Sequence, residues 1–439
     1  MGGSNSERVP KPENRRFELG EAHLRGYGEK DEERVAKLRP IRAASYAGRG
    51  SSDARMRGPA MRILQVCPYA MERRGGVQNH VRDIARWLAA EGHEVTIVAP
   101  GPGEAGGPPP IVPLGRYLSI GLSGTRFEVT WVGGRELAEA ARRLDAATID
   151  VVHVHTPFVP ALPYRVWRAF DRPTVATFHA TLPPQDRLLR AVLGPVARRM
   201  RDRAAAAIAV SPSAAELLKP ERRDRPIDVL PPAIDLSAWR AAGQAAMDAA
   251  TGVPSERPPR VLFLGRFEAR KGLDVLVEAW PEIVRRAGDT VPELIIAGGG
   301  ELAPLAEGLV ARSGGRVRIV DTPDDATARR LVAEADLFVS PAPWGESFGL
   351  VLIEAMAAGT PVVAAANPGY AGVLTGPGAA SLVPPGDAAA LARVVSDLVA
   401  DADRLRVLRA WGCDHVEQFA VAALGQRPLS VYRRVTMGR

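Results

Sequence analysis

The sequence predicts an α/β protein made of two doubly wound, Rossmann-like domains that face each other across a cleft. From residue 61 onward, short apolar runs typical of buried strands alternate with helical stretches, which favours parallel sheets covered by helices. A second series of the same kind begins at residue 260, after an Ala-rich and then Pro- and Ser-containing stretch over residues 239–259. We therefore expect a leader over residues 1–60, domains over residues 61–257 and 258–403, and a helical C-terminal segment over residues 404–439.

In the first domain, strands are predicted at residues 61–67, 95–99, 149–155, 174–178, 205–210 and 228–230. Gly75 and Gly76 open a predicted helix over residues 77–90, and the Pro- and Gly-rich residues 100–113 are expected to form a loop. His93 lies in the expected turn between that helix and the second strand. His153 and His155 alternate on one strand, and packing is the favoured role for His153.

In the second domain, strands are predicted at residues 260–265, 294–297, 317–320, 335–340, 361–365 and 381–383. Helices are predicted over residues 272–286 and 350–358, and Gly359 with Pro361 supplies a stop signal for the latter. In the C-terminal segment, Gly425 and Pro428 are expected to break or kink the helix.

Composition narrows the class of protein. The 439 residues carry a net charge of +7, and hydrophobic residues make up 46% of the chain, as in a globular protein with a sizeable core. Residues 1–60 are polar and charged, which indicates a disordered leader and favours a cytoplasmic location over secretion. The two cysteines, Cys67 and Cys413, indicate neither a disulfide framework nor a metal site. We expect no nucleic-acid partner, because the sequence contains no motif of a nucleic-acid-binding module.

Two glutamates surround the start of the helix predicted over residues 350–358. Glu346 lies in the preceding loop and Glu354 lies on the helix, and Ser347, Phe348 and Gly349 come between them. The N-terminus of a helix favours an anion such as phosphate. Carboxylates instead accept hydrogen bonds from the hydroxyls of a sugar or ribose. Together, these groups predict a site for a nucleotide sugar.

Cations lie at a second predicted strand end. Arg266 follows the strand over residues 260–265, and Lys271 opens the next helix, so the two should be close neighbours. When a nucleoside diphosphate leaves, negative charge develops on its β-phosphate, and fixed cations stabilise that charge. Because no acidic pair has metal-ligand neighbours, we expect no metal ion and no cofactor besides the nucleotide-sugar substrate.

These features resemble the signature of family-4 retaining glycosyltransferases, which have the GT-B fold. The resemblance implies that Glu346 binds hydroxyls of the transferred sugar, that Glu354 binds the ribose, and that Arg266 and Lys271 hold the diphosphate. Within that family, the chain is most similar to the phosphatidylinositol mannosyltransferases. The matching stretches lie at residues 61–69, 75–81, 176–179 and 346–360.

This closer resemblance implies a retaining mannosyltransferase that uses GDP-mannose. It places Gly76 at the donor β-phosphate, Tyr69 and Gln78 at the acceptor, and His179 beside the transferred sugar. Ala180, Pro184 and Phe158 stand where those mannosyltransferases have polar or cationic residues that meet inositol phosphate. The acceptor is therefore left open as a hydroxylated lipid or glycoside, and phosphatidylinositol remains the alternative.

The sequence leaves three further interpretations open. A sugar-nucleotide epimerase or an inactive nucleotide-sugar-binding module would share the donor residues. Peripheral contact with an anionic membrane is a third possibility, because apolar residues recur at helical spacing among arginines over residues 187–203. The favoured interpretation of this pattern is a helix that buries its apolar stripe against its own domain.

Overall fold

The computed structural model describes residues 59–73, 75–101, 109–122, 125–159, 161–181, 187–220, 226–250 and 257–437. The leader predicted over residues 1–60 lies outside these ranges except for its last two residues, and Pro184 also lies outside them.

The first domain contains a seven-stranded sheet among the described residues. Its chain order is β1 (Arg62–Val66), α1 (Gly76–Ala90), β2 (Glu94–Ala99), β3 (Ile111–Pro113), β4 (Arg116–Leu122), β5 (Thr125–Trp131), α2 (Gly134–Arg143), β6 (Val151–His155), α3 (Leu162–Ala169), β7 (Thr174–Phe178), α4 (Arg187–Arg203), β8 (Ala206–Ala209), α5 (Pro212–Ala215) and β9 (Ile227–Val229). The sheet order is β3-β2-β1-β6-β7-β8-β9, and neighbouring strands are parallel. Ile63 pairs with Val95 on one side and Val151 on the other. Each strand predicted for this domain overlaps an observed one.

The prediction of a loop over residues 100–113 is wrong for its last three residues, since Ile111–Pro113 form the edge strand β3. A proline is tolerated there because an edge strand need not donate every N–H group to a neighbour. The antiparallel hairpin of β4 and β5, with Leu118 opposite Val129, was not predicted. Its Glu128 is buried, and it accepts hydrogen bonds from Ala70 N at 2.9 Å and Arg73 at 2.8 Å, so the hairpin fixes the loop after β1.

The second domain has a six-stranded parallel sheet in order β12-β11-β10-β13-β14-β15. Its elements are α6 (Ser237–Ala250), β10 (Arg260–Leu264), α7 (Leu273–Arg286), β11 (Glu293–Gly298), α8 (Ala303–Arg312), β12 (Val317–Asp321), α9 (Asp325–Glu334), β13 (Leu337–Ser340), α10 (Leu350–Ala357), β14 (Val362–Ala365), α11 (Pro368–Val373), β15 (Leu382–Val383) and α12 (Ala388–Val399). Each strand predicted here also overlaps an observed one. Apolar clusters cover both faces of the sheet, as the continuous apolar runs of its strands require.

Helix α6 occupies much of the stretch at 239–259 that was expected to join the domains. Alanine is the best helix former, and this helix is rich in it. It packs against α9 and α10 of the second domain. A Cβ on Gly243 would lie 2.4 Å from the carbonyl oxygen of Ala358, so the close approach of this helix requires glycine.

The C-terminal segment returns to the first sheet through α13 (Ala402–His415), α14 (Val421–Leu424) and α15 (Gln426–Met437). The helical segment is interrupted at Gly425, between α14 and α15. A Cβ on this glycine would lie 2.5 Å from the Trp87 ring. Tyr432 is fully buried, and its hydroxyl lies 2.6 Å from His153 Nδ1. Within the described ranges, none of the helices combines the length and the apolar character needed to span a bilayer.

Candidate active site

The topology directs the candidate residues toward one cleft. The strand order of each sheet reverses at one point, between β1 and β6 in the first domain and between β10 and β13 in the second. Ligands of doubly wound sheets bind at the carboxyl ends of the strands beside such a reversal. Tyr69 follows β1, His155 ends β6, Arg266 follows β10 and Glu346 lies in the loop after β13.

Glu346 is the centre of a cation cluster. Its Oε1 accepts a hydrogen bond from Lys271 Nζ at 2.6 Å and another from Arg270 Nη1 at 2.8 Å. All three side chains are largely shielded from solvent. Burial alone would raise the pKa of Glu346, but the charges of Lys271 and Arg270 outweigh it and hold the pKa below its ordinary value. Glu346 is therefore an ionised carboxylate between two cations.

The backbone makes room for this cluster. Gly345 has φ +79°, and a Cβ there would lie 2.7 Å from Arg270 Cδ. Gly272 has φ +73°, and a Cβ there would lie 2.2 Å from the carbonyl oxygen of Pro341. Other residues would be strained in both conformations and would clash, so these glycines let the two loops approach closely.

Arg266 belongs to the same charged group through a buried carboxylate. Arg266 Nη1 lies 2.7 Å from Glu268 Oε1, while Arg270 Nη2 lies 3.9 Å from Glu268 Oε2. The Glu268 side chain is 7% exposed, whereas that of Arg266 is 44% exposed. Burial lowers the pKa of Lys271, and the positive charge of Arg266 adds to this effect, so the two cations are within electrostatic reach of each other. Glu268 thus orients Arg266 while leaving its guanidinium open to a ligand.

The three residues between the glutamates have separate roles. Ser347 joins the two domains: its Oγ accepts a hydrogen bond from Thr181 N at 3.1 Å, and its carbonyl accepts one from Ser213 Oγ at 3.4 Å. Phe348 is buried and packs edge-on against Phe419, so its side chain belongs to the core. Gly349 has φ +132° and precedes α10. The main chain of this turn, rather than the phenyl ring, is positioned to meet a ligand.

Two helix N-termini meet at the cleft. Helix α1 begins at Gly76, and a Cβ on Gly76 would lie 3.2 Å from Leu350, the first residue of α10. Further along the helices, Asn79 Nδ2 donates to Glu354 Oε1 at 3.5 Å. Both N-cap residues are glycines, which have no side chain to occupy the free N–H groups of the first turn. This arrangement suits an anion such as a diphosphate.

On the first-domain side, Tyr69 and Gln78 adjoin the loop after β1. Gln78 is buried, and its Nε2 donates to the Ala70 carbonyl at 3.4 Å, so its amide helps to hold the loop. Burial raises the pKa of the Tyr69 phenol, and the charge of Arg266 acts in the opposite direction across the cleft. Phe158, one of the residues expected near the acceptor, stacks on Phe178 with ring centroids 6.3 Å apart.

Histidines form a second group at the carboxyl edge of the first sheet. His179 Nε2 lies 3.0 Å from His155 Nδ1, and the His80 ring centroid lies 5.5 Å from that of His179. Burial lowers the pKa of His80 to about 4. His153 contacts Tyr432 and Thr177, each at 2.6 Å, which confirms its packing role. His93 Nδ1 accepts from Met61 N at 3.0 Å, which confirms its structural role in the turn.

Comparison with known proteins identifies the family. Residues 74–238 match the domain described as Glycosyltransferase Family 4, and residues 258–401 match that described as Glycosyl transferases group 1. The chain is 33% identical over 380 residues to a phosphatidyl-myo-inositol mannosyltransferase of Mycolicibacterium smegmatis, across 86% of this chain and 94% of that protein. The chain belongs to glycosyltransferase family 4. A phosphatidyl-myo-inositol mannosyltransferase of Propionibacterium freudenreichii is 35% identical over 331 residues, which is 72% of this chain and 80% of that protein.

Solved structures of other proteins show the same fold. Sucrose-phosphate synthase from Thermosynechococcus elongatus superimposes with a TM-score of 0.66 at 23% identity, covering 86% of this chain and all of that one (100%). A protein of Anabaena in complex with UDP and glucose gives a TM-score of 0.64 at 18% identity, covering 84% of this chain and 99% of that one. The expected family and GT-B fold are confirmed, and this family-4 glycosyltransferase is a hexosyltransferase.

Sequence reasoning missed several residues of this family-4 glycosyltransferase. Arg270 and Glu268 were not singled out, although both lie between Arg266 and Lys271 in the chain. The available signal was that both are charged residues inside a stretch that already contains two candidate ligand-binding cations. The contact of Glu128 with Arg73 depends on the unpredicted hairpin. No local signal in the sequence brings His80 near His155 and His179.

Proposed function

We propose that this hexosyltransferase transfers mannose from GDP-mannose to a hydroxyl group with retention of anomeric configuration. The observation that carries the proposal is Glu346 held between Lys271 and Arg270, beside the half-exposed Arg266. The similarity to proteins named as mannosyltransferases supports mannose as the transferred sugar.

The donor would lie across the carboxyl edge of the second sheet. Arg266 and Lys271 would bind the diphosphate, and the free N–H groups at the start of α1, beginning with Gly76, would face the β-phosphate. Glu346 would accept hydrogen bonds from the mannose hydroxyls, while Glu354 would bind the ribose. The pairing of Glu346 with Arg270 supports this division, because Glu346 keeps a cation when Lys271 turns toward the phosphate.

Transfer would follow a front-face path. The bond between the anomeric carbon and the β-phosphate oxygen breaks as charge accumulates on the diphosphate, where Arg266 and Lys271 stabilise it. The acceptor oxygen bonds to the same face of the anomeric carbon, and its proton passes to the departing phosphate oxygen. His179 would hydrogen-bond the transferred sugar from the first-domain side. Two positioned side-chain cations provide the stabilisation that this step requires, and we propose that it proceeds without a metal ion.

The acceptor is proposed to be a hydroxylated lipid or glycoside other than phosphatidylinositol. Tyr69 and Gln78 lie on the acceptor side, whereas Phe158 packs on Phe178 and offers no charge to an inositol phosphate. A lost charge-assisted hydrogen bond typically weakens binding by about 1.5–3 kcal/mol. Phosphatidylinositol is the second candidate, because the related proteins are named for it.

Peripheral contact with an anionic membrane is part of the proposal. Helix α4 turns Leu189, Leu193 and Met200 inward, which accounts for part of its apolar stripe. Leu188, Val192 and Val196 recur every four residues and are 78%, 58% and 38% exposed. Such an apolar face among arginines suits an anionic lipid surface. Both cysteines are free thiols, and we place the reaction in the cytoplasm, at the inner face of the membrane.

A donor and acceptor screen tests this function. GDP-mannose, UDP-glucose and ADP-glucose are each supplied with phosphatidylinositol, a neutral hydroxylated lipid or a soluble glycoside, and release of nucleoside diphosphate is measured together with glycoside formation. We expect turnover with GDP-mannose, a retained anomeric configuration and poor transfer to phosphatidylinositol. Efficient transfer to phosphatidylinositol would establish the second candidate instead.

The same screen separates the other classes. An epimerase would convert the sugar nucleotide to an isomer without an acceptor. A binding module would bind the donor in calorimetry and release no diphosphate. Either result would overturn the proposed transfer.

A further inference from the structure

Three imidazoles converge at the carboxyl edge of the first sheet from separate parts of the chain. His80 lies in the first half of α1, His155 is the last residue of β6, and His179 follows β7 directly. One ring nitrogen from each residue lies within 4.8 Å of the other two. His80 and His155 are buried, and His179 is partly buried.

The hydrogen bonds around these rings leave bonding capacity unused. His80 Nδ1 donates to the Ala233 carbonyl at 3.1 Å, which orients the ring and leaves the lone pair of its other nitrogen available. His155 Nδ1 and His179 Nε2 face each other at 3.0 Å, so one of them carries the proton of their hydrogen bond, which a bound metal ion would displace. Both ring nitrogens of neighbouring His153 are engaged by Tyr432 and Thr177 instead.

We propose that His80, His155 and His179 form a binding site for a divalent transition-metal ion, with Zn²⁺ as the best match. Neutral imidazole is a preferred ligand of Zn²⁺, and burial favours the neutral form of all three rings. The hydrogen bond from His80 to a backbone carbonyl is the kind of outer contact that orients metal-ligating histidines. Three protein ligands leave a fourth tetrahedral position for water.

The spacing is close to what such a site requires. Zn–N bonds of about 2.0–2.1 Å place tetrahedral ligand nitrogens roughly 3.4 Å apart. His155 Nδ1 and His179 Nε2 are already 3.0 Å apart, and no ligand pair exceeds 4.8 Å. Closing the widest pair therefore takes a relative shift of up to about 1.4 Å, which small rotations of two imidazole side chains provide.

The site shares no residue with Arg266, Lys271 or Glu346. It is therefore separate from the cations that hold the diphosphate in the proposed function, and its existence does not depend on that function. It does include His179, the ring proposed to face the transferred sugar. Metal binding would fix the orientation of that ring.

Calorimetry on the full chain, prepared without a histidine tag and stripped with EDTA, tests the site. We expect one equivalent of Zn²⁺ to bind, and His80→Ala, His155→Ala and His179→Ala each to weaken binding by at least about tenfold. His415→Ala is the matched control, since this histidine contacts the Val373 carbonyl in another part of the fold. It should bind as the unchanged chain does. Absence of Zn²⁺ binding, or full affinity in the three variants, would overturn the proposal.

A second measurement uses the unchanged chain, so it does not depend on the variants folding. X-ray absorption at the zinc edge of the unchanged, loaded chain should show three imidazole ligands at about 2.0 Å. Co²⁺ in the same chain should give the visible bands of a tetrahedral ion. Fewer than three imidazoles, or an octahedral cobalt spectrum, would refute the three-histidine site.

Discussion

Replacing Lys271 with alanine tests the proposed diphosphate site most directly. The change removes one of the two cations that contact Glu346 Oε1, at 2.6 Å, and leaves Arg270 on the same oxygen at 2.8 Å. Glu346 therefore stays paired, and the loss of folding stability should remain within about 1–3 kcal/mol, less than for an uncompensated buried charge. Loss of one preorganised charge at the departing group typically lowers turnover by about 10²–10³, or roughly 2.7–4 kcal/mol.

The assay measures release of nucleoside diphosphate at saturating donor, with the melting temperature recorded for each variant. Lys219→Ala is the matched control, because Lys219 also forms a 2.6 Å pair with a glutamate, but both side chains are more than half exposed. We expect the control to retain full turnover and Lys271→Ala to lose at least about 100-fold. Arg266→Ala should show a loss of the same order. Turnover within a few-fold of the unchanged enzyme in both site variants would refute the diphosphate assignment.

Three other predictions address the surroundings of the site. Glu268→Gln keeps the shape of the side chain but removes the charge that orients Arg266, so kcat/KM should fall about ten- to a hundredfold, and an unchanged value would contradict this role. Turnover should persist in excess EDTA, whereas loss of activity with rescue by Mn²⁺ or Mg²⁺ would show that a metal assists diphosphate departure. Burial raises the pKa of Asp83 from 3.8 to about 6, so the folded state binds this proton more tightly than the unfolded state. The contribution of the protonated Asp83 to folding stability is therefore lost as pH rises through about 6. Asp83→Asn keeps an oxygen that can accept the hydrogen bond from Asp235 N. In urea unfolding, the free energy of unfolding of this variant relative to the unchanged chain should rise by about 2 kcal/mol between about pH 4.5 and pH 8. A difference that stays constant over this range would argue against the raised pKa.

The sequence predicted the two parallel sheets well because their strands are buried on both faces. Such strands appear as short apolar runs, and the run at residues 61–67 corresponds to β1. The hairpin of β4 and β5 was not predicted because β5 has polar residues on its buried face and a large apolar residue on its exposed face. Glu128 and Thr130 of β5 are buried, whereas Trp131 is 66% exposed. Periodicity alone would have assigned the wrong face to the interior, since the buried carboxylate is stabilised by Arg73 from a distant part of the chain.

The candidate site was predictable where neighbours in space are also neighbours in sequence. Arg266 and Lys271 flank one strand-to-helix turn, so the sequence alone places both near the cleft. The partners of Glu346 were not predictable in this way, because the loop after β13 must fold against that turn. The histidine cluster is the extreme case, since α1, β6 and β7 come together only through the sheet order.

The pairing at Glu346 is compatible with the proposed roles, in which the carboxylate binds the sugar and a neighbouring cation binds the phosphate. A buried carboxylate paired with a single cation would lose its only partner if that cation turned to the diphosphate. An unpaired buried charge typically costs several kcal/mol. Here Arg270 and Lys271 contact the same oxygen of Glu346. Glu346 Oε2 takes part in neither of these contacts, and in the proposed complex it would accept hydrogen bonds from sugar hydroxyls. Arg270 can therefore hold the carboxylate ionised and in place while Lys271 moves to the departing phosphate, which assigns the arginine a positioning role distinct from that of the lysine.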